Sequence, residues 1–125
     1  MKIVCIGKNY ADHIAELNDE RPDAPVIFTK PDSALIQAAS VTFELPSFSE
    51  EVHHEVELVM HVGKRGKNIP REEAFNHIDG LGVGIDFTAR DLQRKAKDKG
   101  LPWAISKGFD GAACISPMEP IDSFP

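Results

Sequence analysis

The most chemically loaded run in the chain is His53-His54-Glu55-Val56-Glu57-Leu58-Val59-Met60-His61-Val62. Read as a strand, it sends alternate side chains to opposite faces, with Val56, Leu58, Met60 and Val62 on one and His53, Glu55, Glu57 and His61 on the other. The Cα atoms of Glu55 and Glu57 would then stand ~6.5 to 7 Å apart. Two ionised carboxylates on one face repel unless solvent or a cation separates them. A solvated polar face on an edge strand is the plain alternative. Asp86 adds a third carboxylate directly after the apolar run Leu81-Gly82-Val83-Gly84-Ile85, where solvation alone is a poor account of it. Three hard oxygen donors suit Mg²⁺ or Mn²⁺ better than zinc, which favours Cys and His.

Two lookalike motifs fail on their spacing. His54-Glu55-Val56-Glu57-Leu58 opens like a zinc-protease helix, but Leu58 stands where H-E-x-x-H requires its second histidine, and the run alternates as a strand. Gly80-Leu81-Gly82-Val83-Gly84 brings its third glycine one residue early for a dinucleotide loop, and no helix begins within it. His13 and Glu16 lie three residues apart, so on a helix they are neighbours, and a carboxylate can orient an imidazole for general-base work. An ordinary exposed pair fits the same spacing. Lys107, in Ser106-Lys107-Gly108-Phe109-Asp110, has a glycine beside it that would let a ligand approach.

These residues need elements to hold them. Lys2 to Ile6 predicts a short strand of β-branched residues ended by Gly7. Asn9 can cap a short helix from Tyr10 to Leu17. Asn18 to Pro25 reads as an exposed connection, Val26 to Thr29 as a strand, and Lys30 to Ser33 as a turn. Leu35 to Pro46 looks extended and broken, and Val52 to Val62 is the clearest strand. Pro70 suits the first turn of a helix running through Ile78 and ending near Gly80. Leu81 to Phe87 follows as a strand, then a helix from about Thr88 to Lys99 that stops at Gly100 and Pro102. Trp103 onward shows no strong period, and Ile115-Ser116-Pro117 and Pro120-Ile121 read as connections. Short strands alternating with a few helices predict an α+β domain with a β-rich core.

Composition narrows the function classes. With 125 residues, 42% hydrophobic and 27% charged, the chain is expected to form one soluble domain with a core of its own. A net charge of -6 argues against a nucleic-acid surface. The basic cluster from Arg90 to Lys99 is interrupted by Asp91 and Asp98, as on a solvated helix face. Cys5 and Cys114 form no C-x-x-C pair, which points to a reducing cytoplasm and no disulfide framework. The apolar start at Met1 to Gly7 is cut off by Lys8, Asn9 and Asp12, so neither a signal peptide nor a membrane span is expected there.

Five blocks in order, Cys5-Ile6-Gly7-Lys8-Asn9-Tyr10, Phe28-Thr29-Lys30-Pro31, Val52-His53-His54-Glu55-Val56-Glu57-Leu58, Asp86-Phe87-Thr88-Ala89-Arg90-Asp91 and Lys107-Gly108-Phe109-Asp110, give the chain a resemblance to the fumarylacetoacetate hydrolase family, including its acylpyruvate hydrolases. The resemblance implies a mixed β-roll with Glu55, Glu57 and Asp86 holding Mg²⁺ or Mn²⁺ and Lys107 reaching the ligand. It implies His13 and Glu16 as the water-activating pair, and Lys8, Asn9, Tyr10, Arg90 and Asp110 as substrate-contacting positions.

The activity so implied is metal-dependent hydrolysis of a carbon-carbon bond in a small acylpyruvate or related 2,4-dioxo acid, in a homodimer. Oxaloacetate decarboxylation, isomerisation of an unsaturated dioxo acid of the 2-hydroxyhepta-2,4-diene-1,7-dioate type, and a catalytically silent metal-binding fragment are the alternatives. Lys8 stands where many relatives carry Arg, and an ammonium lacks the planar bidentate grip of a guanidinium, so a different substrate choice is expected. The expected threonine- and glycine-rich substrate loop and closing strands do not follow before Pro125. Residues 1 to 125 are therefore expected to be a single catalytic domain truncated at its C-terminal end.

Overall fold

The computed structural model describes residues 2–10, 22–37 and 42–124. The predicted helix from Tyr10 to Leu17, with His13 and Glu16, lies outside the described residues apart from Tyr10 itself.

Strands β1 (Ile3–Gly7) and β2 (Val26–Lys30) pair antiparallel as a separate two-stranded sheet. Alternation sorts their side chains. Val4, Ile6 and Ile27 face outward, while Cys5, Phe28 and Lys30 turn in. Residues Asp32–Ala34 form a single 3-10 turn, and the main sheet then begins with β3 (Leu35–Gln37).

That sheet is mixed. Strand β4 (Val52–Val62), whose bounds match the predicted alternation, runs antiparallel to β5 (Ile78–Ala89). On its other side β5 pairs antiparallel with β6 (Ala113–Ile115) and with β7 (Glu119–Pro120), and β3 joins β6 in parallel. Helix α1 (Arg90–Asp98) follows β5 directly. It ends where predicted, with Gly100 at φ +63 and the Leu101 amide reaching back to the Ala96 carbonyl. Helix α2 (Ala104–Lys107) is one turn. No helix among the described residues is long and apolar enough to cross a membrane.

Two segments depart from the sequence expectation. The predicted helix from Pro70 to Gly80 is a seven-residue 3-10 helix, Arg71–His77, and Ile78 already belongs to β5. Val62 pairs with Ile78 and His61 with Gly80, so ladder hydrogen bonds claim the residues that would have extended the helix. The stretch after Trp103 holds α2, β6 and β7, and the segments expected to be connections supply strand residues to β5.

The glycines of β5 have a packing role. Gly80, Gly82 and Gly84 share the face of β5 that carries Asp86. A methyl group at Gly82 would lie 2.8 Å from the Met118 sulfur, and one at Gly84 would lie 2.8 Å from Val59. Bare backbone lets these side chains close on the sheet.

The interior is ionic. Among the described residues the buried hydrophobics are Ala34, Ala89, Ala112 and Ala113, while Lys30, Asp86, Thr88, Arg90, Gln93, Ser106 and Lys107 are buried beside them. Buried charges persist only when paired and hydrogen-bonded. The fold is therefore organised around a charge cluster.

Candidate metal centre

Ladder register builds the cluster. Glu55 stands opposite Asp86 across β4 and β5, and Glu57 stands opposite Gly84. The absent side chain at Gly84 lets Val59 pack against β5 next to Glu57. Glu55, Glu57 and Asp86 each present an oxygen within 4.8 Å of the others. The carboxylate face of β4 is the inward one, and its apolar face, Val56, Leu58, Met60 and Val62, is exposed.

Three cations close round these carboxylates. The Lys107 ammonium, carried on α2, donates to Glu55 Oε2 at 2.8 Å and to Asp86 Oδ2 at 2.7 Å. Arg90, the first residue of α1, donates through Nη2 to Glu55 Oε1, through Nη1 to Gln93 at 2.6 Å and through Nε to His53 Nδ1 at 3.3 Å. Lys30, at the end of β2, lies 2.8 Å from Asp86 Oδ1. Its hydrogen bonds go instead to the backbone carbonyls of Lys107, Ala112 at 3.0 Å and Phe87 at 3.4 Å.

The charges around the site shift its titrations. Burial, then the Asp86 and Glu55 charges, push the Glu57 carboxyl up to about 7, with Lys107 opposing. The Cys5 thiol, on the strand above, is pushed up to about 11, first by burial and then by Asp86. Burial lowers Lys30, and Asp86 works against that shift.

The donor set fits a hard divalent cation. Asp86 Oδ1 is buried and has the charge of Lys30 beside it, but no aligned hydrogen-bond donor. Among the described residues no hydrogen bond or ion pair reaches the Glu57 carboxylate. These oxygens, with Glu55 fixed between Arg90 and Lys107, would hold the ion and leave further positions of an octahedral shell for water or a chelating acid.

The remaining positions singled out from sequence fall in several places. Lys8 is half-buried in the turn after β1 with φ 55, and Asn9 beside it is exposed. The Tyr10 hydroxyl accepts from the Leu58 amide at 3.4 Å, next to Glu57. Arg90 is buried, and its guanidinium is directed at Glu55, Gln93 and His53. Asp110 is exposed in the turn before β6 and, among the described residues, makes no hydrogen bond to the cluster. Lys30 and Gln93 were not singled out as site residues. A signal for Lys30 existed, because strand alternation puts it on the same inward face as Val26 and Phe28.

Comparison with known proteins agrees with this architecture. Residues 2–125 match the family model described as fumarylacetoacetate (FAA) hydrolase C-terminal. The mitochondrial oxaloacetate tautomerase of Arabidopsis thaliana is 44% identical over 119 residues, covering 95% of this chain and 53% of that protein. The mitochondrial oxaloacetate decarboxylase of Dictyostelium discoideum is 42% identical over 121 residues, covering 97% and 56%. The crystal structure of fumarylpyruvate hydrolase from Pseudomonas aeruginosa in complex with Mn²⁺ and pyruvate superimposes with a TM-score of 0.89 at 41% identity, covering 98% of this chain and 54% of that one. The chain thus spans about half the length of the curated relatives it matches. The mixed sheet with few helices is the fold of these neighbours, and the chain belongs to the fumarylacetoacetate hydrolase family.

Proposed function

We propose that this chain carries the divalent-metal centre of an enzyme that hydrolyses a carbon-carbon bond in a short acylpyruvate or related 2,4-dioxo acid, with Mg²⁺ or Mn²⁺ as the ion. The observation that carries this reading is the convergence of Glu55, Glu57 and Asp86 inside a ring made by Lys30, Arg90 and Lys107. Three carboxylates against three cations leave the centre near neutral. A divalent ion then brings an excess of positive charge that suits a doubly anionic acid or enolate. Mn²⁺ and pyruvate in the fumarylpyruvate hydrolase support the same class of ion and ligand.

When bound, the ion supplies Lewis-acid stabilisation of negative charge on the 2-oxo oxygen. Glu55, Glu57 and Asp86 would hold it. Lys107, with its ammonium at the junction of Glu55 and Asp86, adds positive charge where the oxyanion develops. His13, oriented by Glu16, takes a proton from the water that attacks the distal carbonyl. The bond between C3 and C4 then breaks, releasing the short acid and the pyruvate enolate, which is protonated to pyruvate. Lys8, Asn9, Tyr10, Arg90 and Asp110 belong to the same reading as positions that contact or orient the substrate.

A homodimer in the cytoplasm completes the proposal. The exposed apolar face of β4 supports association, because contiguous apolar surface of this kind belongs against other protein.

Oxaloacetate decarboxylation or tautomerisation is the second reading, favoured by the names of relatives 42% and 44% identical to this chain. It needs the same metal and lysine but no attacking water. Turnover of acetylpyruvate and of oxaloacetate, with EDTA and after Mg²⁺ is restored, tests both. Hydrolysis of acetylpyruvate that EDTA abolishes and Mg²⁺ restores is the expected result. Turnover of oxaloacetate alone would select the second reading, and turnover of neither would leave a metal-binding protein without this chemistry.

A further inference from the structure

Lys30 stands out as the most completely buried cation of the cluster, its side chain 1% exposed, on an element that contributes no carboxylate. An ammonium has three N–H donors. Here all three are taken by backbone carbonyls, those of Phe87 on β5, Lys107 at the end of α2 and Ala112 just before β6. The three carbonyls belong to segments flanking the centre. Phe87 follows Asp86 directly, and Lys107 carries the ammonium that grips Glu55 and Asp86.

Lys30 is also the charge partner of Asp86. Lys30 Nζ sits 2.8 Å from Oδ1, yet that oxygen receives no aligned donor. The fixed positive charge of Lys30 offsets the cost of burying the carboxylate. The same ammonium ties β2 to β5 through the Phe87 carbonyl, while Phe28 packs against Trp103, in front of α2, at 5.7 Å.

We propose that Lys30 is a positioning residue of the metal centre, tying β5, α2 and the start of β6 around one buried ammonium so that Asp86 and Lys107 are held in register for the ion and its ligand. The link to the ion rests on the metal reading given above, whereas the placement of Lys107 can be measured without any metal. Charge alone gives the opposite expectation for metal binding. Removing a cation from beside a divalent site tightens that site by simple Coulomb repulsion, so weaker binding reports lost geometry.

The test uses Lys30→Met, which keeps the length of the side chain, and Lys30→Arg, which keeps its charge. A planar guanidinium fork spreads its donors and cannot serve three carbonyls that converge on one nitrogen. Mg²⁺ affinity is measured by calorimetry, and acetylation of Lys107 by acetic anhydride is followed by mass spectrometry in metal-free protein, with exposed Lys99 as the internal reference. The expected result is a loss of Mg²⁺ affinity of at least about tenfold in both variants, in line with losses on removing groups behind metal ligands. Acetylation of Lys107 should rise several-fold with Lys99 unchanged. Wild-type affinity and wild-type Lys107 shielding in Lys30→Arg would overturn the proposal, as would unchanged or tighter Mg²⁺ binding in a folded Lys30→Met. Should Lys30→Met fail to fold, Lys30→Arg decides alone. Should the wild-type protein bind no Mg²⁺, the metal reading fails and the acetylation comparison still decides the role of Lys30.

Discussion

Glu55 and Asp86 face each other across the β4 and β5 ladder, and a single ammonium, that of Lys107, spans them at 2.8 and 2.7 Å. The pair shows how β pairing brings two distant sequence positions into one carboxylate cluster. Glu57 joins from the same face two residues along.

Glu55→Gln and Asp86→Asn should each weaken Mg²⁺ binding by at least about tenfold, since even groups behind metal ligands cost that much when removed. Calorimetric titration of Mg²⁺ into the two variants is the measurement. Unchanged affinity in both would remove the proposed centre.

Mg²⁺ affinity should fall as pH drops below about 7, the value to which burial and its acidic neighbours push Glu57. A metal ligand must be deprotonated, so the proton competes with the ion, costing roughly tenfold in affinity per pH unit in that range. Stability of the metal-free protein should move the other way. Between the ordinary value of 4.5 and about 7 the folded state keeps a proton on Glu57 that the unfolded chain releases, so this group makes the fold less stable as pH rises through that window. Glu57→Gln should flatten both dependences. A pH-independent Mg²⁺ affinity between pH 5.5 and 7.5 would refute the assignment.

How far the centre could be read from sequence depended on whether its geometry was local. The alternation of Val52 to Val62 already put Glu55 and Glu57 on one face, because a strand's side-chain period needs no tertiary information. Asp86 stood out as a carboxylate after an apolar run. Lys30 did not, since the Lys30-Pro31-Asp32-Ser33 stretch looks like an exposed turn, and its burial depends on carbonyls 57, 77 and 82 residues away. Arg90 was expected to contact substrate, and its contacts with Glu55, Gln93 and His53 depend on how α1 leaves β5. The helix expected through Gly80 had genuine start signals in Pro70, Glu72 and Glu73, yet pairing with His61 and Val62 drew its C-terminal part into β5. Local propensity yields in such a contest because the strand satisfies more backbone groups.

Cys5 should react sluggishly despite its place beside the centre. With its thiol pushed up to about 11, on the order of one molecule in a thousand is a thiolate at pH 8. Iodoacetamide labelling followed by mass spectrometry, with urea-unfolded protein as control, measures this. Alkylation of the folded protein at the rate of the unfolded control would contradict the environment described.

Gly84→Ala should destabilise the fold by ~1 to 3 kcal/mol, the usual cost of overpacking a close contact. The new methyl group would lie 2.8 Å from Val59 and beside Glu57, the ladder partner of Gly84. Urea unfolding midpoints of variant and parent provide the check. An unchanged midpoint would mean that Val59 moves away at no cost.

His13→Ala should separate the two activities proposed for this centre. Acylpyruvate hydrolysis needs a base to activate water, a contribution of about 10² to 10⁴-fold, and His13, three residues before Glu16 in the sequence, is the residue proposed for it. Decarboxylation of oxaloacetate needs no attacking water. Glu55, Glu57 and Asp86 would hold the ion whose Lewis acidity that reaction needs, with the Lys107 ammonium beside them. Loss of the imidazole should therefore abolish the first activity and spare much of the second. Glu57→Gln, which removes a ligand shared by both, should lower the two together. Rates on acetylpyruvate and oxaloacetate measured side by side in the two variants decide the matter, and an equal loss of both activities in His13→Ala would show that His13 serves a step common to them.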